Sequence, residues 1–278
     1  MRFSVVTPSF RNSAWLKLCI ASVADQGGEL EHIVQDAGSD DGTLDWLPHD
    51  RRVRAFVEKD RGMYDAVNRG LRRATGDILA YLNCDEQFLP GALKMVRDFF
   101  EQHPGVDVLF GDIVIVNTQG EYLFHRKVQT PLLLHTQVSH LSTLSCAMFF
   151  RRKLIARDGL FFDEGLRASG DGEWVLRLLR RKVPMAALGQ FTSIFAATGD
   201  NLGAGEVARR EREAMYRSAP LWAQWSRPLI VAHHRVRRLL GGMYSQEPFT
   251  FSLYTHQSPD RRVSREVSQP NYRWKVPA

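Results

Sequence analysis

The sequence predicts an α/β protein with a mixed, mostly parallel central sheet flanked by helices, followed by a helical C-terminal extension. In the first half of the 278-residue chain, short apolar runs alternate with segments of helical period. After residue 108, paired apolar runs flank a turn at Asn117 to Gly120, which is typical of antiparallel strands. An apolar content of 44% is enough to form a large buried core.

The first half is predicted to be a series of strands and helices. Ile78 to Leu82 is a continuous apolar run, as expected of a parallel strand covered on both faces. Met63 to Ala74 places small and apolar residues at helical spacing, and Gly76 ends this helix. The other predicted elements are strands at Phe3 to Thr7, His32 to Asp36 and Arg54 to Glu58, and helices at Ala14 to Ala24 and Gly91 to Gln102.

The second half is predicted to complete the sheet and then to become helical. We expect one domain over residues 1–205, divided into halves at 1–107 and 108–205, and a helical extension with a tail over residues 206–278. The predicted elements are strands at Leu109 to Val116, Glu121 to His125, Ala147 to Phe150, Met185 to Leu188 and Thr192 to Ala196, and helices at Gly172 to Arg181, Glu206 to Arg217 and Trp222 to Leu240.

Charge and cysteine content narrow the class of function. Solvated helix faces explain most of the basic clusters, but the net charge of +6 also fits anionic partners such as sugar nucleotides or phospholipid headgroups. The basic runs lack interleaved aromatic residues and any nucleic-acid-binding module, so no nucleic-acid partner is expected. Three widely spaced cysteines favour reduced thiols. No apolar run approaches the ~18 residues of a membrane span, and we expect a cytoplasmic protein.

An acidic pair follows the apolar run that ends at Leu82. Asp85 and Glu86 are predicted to lie at the carboxyl edge of the sheet, where open α/β folds bind ligands. Two carboxylates suit Mg²⁺ or Mn²⁺, which keep coordination sites for water and substrate phosphates. The alternative is an ordinary solvated loop after a strand.

Four motifs in this order resemble the family-two glycosyltransferases of the GT-A fold: Ser4 to Asn12, Ile33 to Thr43, Glu58 to Gly70 and Leu82 to Glu86. The resemblance covers residues 2 to 200. It implies a GT-A nucleotide-diphospho-sugar transferase fold and an inverting transfer of a sugar from a nucleotide diphosphate to a hydroxyl of a glycan or lipid-linked acceptor, in cell-envelope polysaccharide synthesis. A dehydrogenase is disfavoured, because no Gly-x-Gly-x-x-Gly follows the first strand.

The resemblance also implies which residues contact the donor. Thr7, Pro8 and Phe10 belong to the family's first nucleotide-binding loop, although Phe10 fits a core position equally well. Asp36 can accept the imide N–H of uracil or thymine, which favours a UDP or dTDP donor; its alternative is a loop-capping role. The other predicted donor contacts are Gly38, Ser39, Arg61, Asn68, Asn83 and Asp85, with a surface salt bridge as the alternative for Arg61.

The acidic motif departs from the family's pattern of two aspartates separated by one residue, because Asn83 occupies the first position. Asp85 is therefore the predicted main ligand of Mn²⁺ or Mg²⁺, and Glu86 is an accessory ligand. Asn83 also keeps open a non-catalytic nucleotide-sugar-binding protein as an alternative function. A sugar nucleotidyltransferase is the other alternative, although the first loop lacks the glycine-rich, arginine-bearing sequence of those enzymes.

The segment Phe161 to Leu178 resembles the part of the family that delivers a catalytic carboxylate at the start of a helix. On this match Asp171 is the general base that takes the acceptor hydroxyl proton. Glu173 is the fallback, and helix capping is the alternative role of Asp171. Further side chains flanking the acceptor half are His140, Arg151, Arg152 and the run Thr198 to Asn201.

The C-terminal extension combines tryptophans with arginines. A basic amphipathic helix with tryptophans is able to lie in a membrane interface, but packing on its own domain produces the same periodicity. We expect a peripheral contact with anionic lipid at the inner face of the cell membrane, with packing as the open alternative. The residues concerned are Trp222, Trp225, Leu229, Ile230, Arg235, Arg237 and Arg238.

Overall fold

The computed structural model describes residues 1–139, 141, 143–199 and 205–272. Within these residues, eleven strands form two sheets. The strands are β1 (Phe3–Ser9), β2 (Leu30–Asp36), β3 (Arg54–Val57), β4 (Ile78–Tyr81), β5 (Glu86–Phe88), β6 (Val108–Val116), β7 (Tyr122–Arg126), β8 (Met148–Arg151), β9 (Met185–Ala196), β10 (Phe249–Thr255) and β11 (Ser258–Val267).

The helices lie mainly between strands in the first half and after the sheet in the C-terminal region. They are α1 (Ser13–Ala24), α2 (Thr43–Trp46), α3 (Met63–Arg73), α4 (Ala92–Gln102), α5 (Leu133–Val138), α6 (Lys153–Ala156), α7 (Gly170–Arg180), α8 (Glu206–Arg217), α9 (Leu221–Trp225) and α10 (Arg227–Leu240). Short 3₁₀ turns occupy Leu47–His49 and Ser145–Ala147.

The central sheet has the strand order β3-β2-β1-β4-β8-β6-β9-β5, and β7 pairs with β6. Neighbours among β3, β2, β1 and β4 are parallel, as are β6 and β9, whereas β8, β7 and β5 pair antiparallel to their neighbours. Six of the nine strands therefore run in the same direction, which confirms the prediction of a mixed, mostly parallel sheet.

The carboxyl ends of four neighbouring strands bring the sequence motifs to one edge of the sheet. Ser9 lies opposite Asp36 in the register of β1 and β2, and Val6 lies opposite Tyr81 of β4. Helix α3 packs closely against β1, because a Cβ on Gly70 would lie 2.3 Å from Cγ1 of Val6. This close packing fixes α3, and the loop before it, beside the same edge.

Several elements within residues 1–205 differ from the sequence prediction. The short helices α2, α5 and α6 were not predicted. Met185 to Leu188 and Thr192 to Ala196 belong to one long strand, β9, whose register against β6 shifts where Gly189 has φ of +69°. The three-residue strand β5 is absent from the predicted elements. Helix α7 begins at Gly170, two residues earlier than predicted, so Asp171 lies within its first turn.

The C-terminal region differs in two places. The predicted helix from Trp222 to Leu240 is divided into α9 and α10, because Pro228 has no N–H and its ring clashes with the preceding turn. The tail forms the antiparallel hairpin β10–β11, which packs on the central sheet through Phe251 and Leu253. A helical extension over residues 206–240 is confirmed, and the tail adds a hairpin.

Candidate active site

Asp36 organises the loop that follows β2. Its Oδ1 accepts the backbone N–H groups of Gly38 (2.9 Å) and Ser39 (2.7 Å), and its Oδ2 accepts the hydroxyls of Ser9 (2.9 Å) and Ser39 (2.8 Å). The carboxylate is fully buried. The loop-capping role is therefore present in this structure. A nucleobase N–H reaches this carboxylate only if one of the two rotatable serine hydroxyls gives way.

The first loop presents a mixture of backbone and aromatic surface. Thr7 is buried, and its hydroxyl lies 2.8 Å from Nε2 of His32, so its side chain points into the core. Pro8 is buried as well. Phe10 is 52% exposed beside Arg11, so the core alternative for Phe10 is wrong. The guanidinium of Arg11 lies over its ring, 5.0 Å from the ring centroid.

The acidic pair is not a solvated loop. Asp85 is half-buried, and Glu86 is buried as the first residue of β5. Burial raises the pKa of Asp85, and burial together with the charges of Asp85 and Asp171 raises the pKa of Glu86 to about 8. Oε2 of Glu86 accepts the N–H of Asn83 at 2.7 Å, while its buried Oε1 has no hydrogen-bond partner among the described residues.

These carboxylates fit a divalent cation that shares its coordination with a substrate. An unpaired buried carboxylate oxygen beside a second carboxylate is an environment that a cation stabilises. In the parts of the chain that the structure describes, no group of three or more His, Cys, Asp or Glu side chains converges on one point. The remaining ligands would come from phosphate oxygens and water, as is usual for Mg²⁺.

Asp171 lies at the start of α7, and its charge contributes to the raised pKa of Glu86. Its Oδ1 accepts the N–H of Gly172 at 2.8 Å, while the N-cap position belongs to Ser169. Burial raises the pKa of Asp171, and the charge of Glu211 adds to this. A carboxylate with a raised pKa is a better proton acceptor than an ordinary aspartate.

Two residues that the sequence did not single out hold Asp171 in place. The hydroxyl of Tyr64 accepts the Asp171 N–H at 3.2 Å, and the Tyr64 ring is buried against Phe162. Glu211 of α8 accepts three consecutive backbone N–H groups, from Arg167 (2.6 Å), Ala168 (3.0 Å) and Ser169 (2.8 Å). No local pattern marked Glu211, because its partners lie more than forty residues earlier in the chain.

Arg61 and Asn68 both contact the loop before α7. The side chain of Asn68 is buried, donates to the carbonyl of Phe162 (2.9 Å) and accepts its N–H (3.0 Å). Arg61 is exposed and pairs with Glu164. The salt-bridge alternative for Arg61 is thus present, and the described contacts of Asn68 position the loop.

The structure gives some of the remaining candidate residues other roles and does not describe the rest. Glu173, the fallback base, is paired with Arg177 at 2.7 Å. Arg151 donates to the backbone carbonyls of Val106 and Phe100, which is a structural role. The Cys84 thiol accepts from Asn12, and burial raises its pKa to about 12, so it is no activated thiolate. Three further candidates lie outside the described residues: His140, Asp200 and Asn201.

The tail also contributes a wall near the acidic pair. Trp15 and His256, the latter in the turn of the β10–β11 hairpin, have ring centroids 4.3 Å apart. Both residues line a narrow pocket that Asp85 shares. The side chain of Gln87 ties this hairpin to β5 through two hydrogen bonds with the backbone of Tyr254, each 2.9 Å long.

Comparison with known sequences shows which family this chain is similar to. Residues 4–160, more than half of the chain, match the model of glycosyl transferase family 2. Over 168 residues the chain is 32% identical to "PGL/p-HBAD biosynthesis glycosyltransferase" of Mycobacterium bovis (strain BCG / Pasteur 1173P2), which covers 56% of this chain and 62% of the relative.

A second relative is a "GalNAc(5)-diNAcBac-PP-undecaprenol beta-1,3-glucosyltransferase" of Campylobacter jejuni. It is 29% identical over 121 residues, which cover 41% of this chain and 38% of the relative. The matches to both relatives therefore span less than two thirds of their lengths. Asp171 and the C-terminal extension lie beyond the segment that matches the family model.

Solved structures show the same fold at low sequence identity. S. aureus TarS 1-349 in complex with UDP-GlcNAc aligns with a TM-score of 0.62 and 20% identity, over 86% of this chain and 73% of that chain. The mannosyltransferase PcManGT from Pyrobaculum calidifontis, in complex with GDP-Man and Mn²⁺, aligns with a TM-score of 0.56 and 16% identity, over 86% and 78%. The predicted GT-A fold is confirmed.

Proposed function

Because this chain belongs to glycosyl transferase family 2, we propose that it transfers a sugar from a UDP or dTDP donor to a hydroxyl of a glycan or lipid-linked acceptor in polysaccharide biosynthesis. The observation that carries the proposal is the buried, unpaired carboxylate oxygen of Glu86 next to Asp85, at the sheet edge that also carries the loop organised by Asp36. The charges of Asp85 and of the distant Asp171 both raise the pKa of Glu86.

The donor would lie along the carboxyl edge of the sheet. We assign the base to the space between the exposed ring of Phe10 and the Asp36 loop, where Ser9 or Ser39 releases the carboxylate to a base N–H. Gly38, with φ of +90°, lets the loop turn tightly there. The diphosphate would then extend toward Asp85, with Arg61 and Asn83 on its path.

Asp85 and Glu86 would hold a Mn²⁺ or Mg²⁺ ion together with the donor phosphates. Such an ion offsets the negative charge that develops on a departing diphosphate. Glu86 is buried with one unpaired oxygen, so an adjacent cation would favour its ionised form over the protonated one. That the PcManGT complex holds both GDP-Man and Mn²⁺ is consistent with this assignment.

Asp171 would act as the general base of an inverting transfer. The acceptor oxygen forms a new bond to the anomeric carbon while the bond from that carbon to the diphosphate breaks. Asp171 takes the hydroxyl proton, and the nucleoside diphosphate leaves with the electron pair. Tyr64, Glu211 and Asn68 serve by fixing the segment that carries this carboxylate.

A donor screen tests the proposal. The protein is mixed with UDP-, dTDP- and GDP-sugars with and without Mn²⁺, and thermal shift and nucleotide release are recorded. We expect stabilisation by a UDP- or dTDP-sugar that increases with Mn²⁺, and slow release of the nucleoside diphosphate. Binding without transfer or hydrolysis would favour the non-catalytic sugar-nucleotide-binding alternative. Pyrophosphate released from a nucleoside triphosphate would favour the nucleotidyltransferase.

We place the reaction in the cytoplasm, at the inner face of the membrane, where a lipid-linked acceptor would be presented. Among the described residues, no helix combines the length and the apolar character needed to cross a bilayer. Any association with the membrane through this part of the chain would therefore use its surface.

A further inference from the structure

One face of α9 and α10 exposes large apolar side chains. Within each helix most of these residues are three, four or seven positions apart, which places them along one side of that helix. Trp225 is 79% exposed and Leu240 is 82% exposed. We call this set the apolar stripe: Leu221, Trp222, Trp225, Leu229, Val236, Leu239 and Leu240.

The opposite face already attaches the segment to the protein. Ala223 is buried, and Ile230 packs with it against Val138 of α5. His234 and Arg238 are also buried on this inner face, and Arg238 lies over the ring of Tyr244. The expectation that Ile230 and Arg238 belong to a membrane-facing surface is wrong. These contacts attach the helical segment to the rest of the protein and do not involve the apolar stripe.

The charged residues of the sequence segment that carries the stripe are all basic. The sequence has five arginines and no acidic residue between Glu213 and Glu247. Of the three arginines expected at the surface, only Arg235 is exposed; Arg237 donates to the carbonyl of Thr130 and is partly buried. Exposed tryptophans beside unopposed positive charge match the composition of a membrane interface, where indole rings and basic side chains both find partners.

We propose that the apolar stripe, together with Arg235, binds the surface of an anionic lipid bilayer with α10 lying parallel to the membrane plane. The stripe would enter the boundary between headgroups and acyl chains, and Arg235 would remain at the level of the lipid phosphates.

The position of the stripe gives this binding a consequence for catalysis. Helix α5 contacts both α10 and α7, the helix that carries Asp171. A docked enzyme would hold its base close to an acceptor anchored in the same membrane. This consequence rests on the proposed function, whereas the docking itself is measurable without donor or acceptor.

Co-sedimentation with lipid vesicles tests the docking. The full chain is mixed with vesicles of phosphatidylglycerol and phosphatidylcholine, or of phosphatidylcholine alone. We expect binding to the anionic vesicles only, weakened when the salt is raised from about 0.1 M to about 1 M, which shortens the Debye length from about 10 Å to about 3 Å. The double variant Trp225→Ser, Leu229→Ser and the variant Arg235→Glu should each reduce the bound fraction about tenfold.

Matched controls separate the stripe from general surface effects. Val207→Ser removes an exposed apolar side chain from α8, and Arg51→Glu reverses an exposed arginine in the N-terminal half. Both should bind vesicles like the unaltered protein, and thermal unfolding should show that all four variants are folded. Equal vesicle binding by stripe variants and controls, or none by the unaltered protein at low salt, would overturn the proposal.

Light scattering distinguishes the main competing occupant. A dimer of the unaltered protein that Trp225→Ser, Leu229→Ser converts to a monomer, without vesicle binding, would assign the stripe to contact between two copies of this chain. Failure of docking leaves the transferase proposal intact, because donor binding and nucleotide release in solution are measured separately.

Discussion

Replacing Glu211 by Gln should lower turnover without weakening donor binding. The carboxylate accepts the N–H groups of Arg167, Ala168 and Ser169, the three residues before the first turn of α7. A glutamine keeps a single acceptor oxygen, so at least one N–H loses its partner and the others lose a charged one. Asp171 remains, but the segment that positions it is held less firmly.

The size of the effect follows from these contacts. A hydrogen bond to a charged acceptor contributes about 1.5–3 kcal/mol, and half-buried Glu211 leaves water able to replace part of what is lost. We therefore expect a loss of about 1.5–3 kcal/mol in the ordering of the segment. Since each 1.36 kcal/mol is tenfold in rate, turnover should fall about 10- to 100-fold.

Steady-state kinetics against pH measure this effect. The kcat should fall while the donor Kd stays within a few fold. Because the charge of Glu211 contributes to raising the pKa of Asp171, its removal should also move the acidic limb of the kcat profile to lower pH. Glu213→Gln is the matched control, since Glu213 lies on the same helix and pairs only with exposed Arg217 in the described contacts. Unchanged turnover in Glu211→Gln, or an equal fall in the control, would refute the reasoning.

Two further predictions concern the acidic pair and the core. Asp85→Ala should abolish the Mn²⁺-dependent part of donor binding in calorimetry while leaving the fold intact. The control Asp98→Ala, at a half-buried aspartate of α4 that pairs with Lys94, should have no effect. Retained Mn²⁺ dependence in Asp85→Ala would remove Asp85 from the site. Burial raises the pKa of Asp112 to about 6, so its neutral form stabilises the fold below about pH 4 and this contribution is lost as pH rises through 6. In Asp112→Asn the amide oxygen still accepts the Val128 N–H. The substitution should therefore raise the unfolding free energy at pH 8 by about 1–3 kcal/mol and leave it unchanged near pH 3.5. Equal stability of the variant and the unaltered protein at pH 8 would contradict this.

The residues at the carboxyl edge of the sheet could be predicted because the sequence patterns that mark them are local. Each motif follows an apolar strand, and parallel strands bring their carboxyl ends together whatever the details of packing. Asp36 and Asp85 could thus be assigned to this edge from the sequence, whereas Asp171 was named from the resemblance of Phe161 to Leu178 to the family segment. Their surroundings could not: that Asp36 is satisfied by two serine hydroxyls depends on the register of β1 against β2.

Contacts between segments that are distant in the sequence could not be predicted, because no local sequence pattern specifies them. Strand β5 has three residues, too few to show alternation, and exists because it pairs with β9. The β10–β11 hairpin contains many polar residues and is held by packing on the sheet. The sequence of α10 predicts an amphipathic helix but does not show which face is buried. Arg238 is buried and Leu229 is exposed, which reverses the usual preference for apolar side chains in the interior.

The measurement that tests the central claim most directly is nucleotide release by Asp171→Asn at saturating donor and acceptor. The account predicts a donor Kd within a few fold of the unaltered protein and a fall in turnover of about 10²-fold or more, because the acceptor proton loses its base. Glu173→Gln should retain turnover, since Glu173 is paired with Arg177. Full turnover in Asp171→Asn, or a larger loss in Glu173→Gln, would contradict the account.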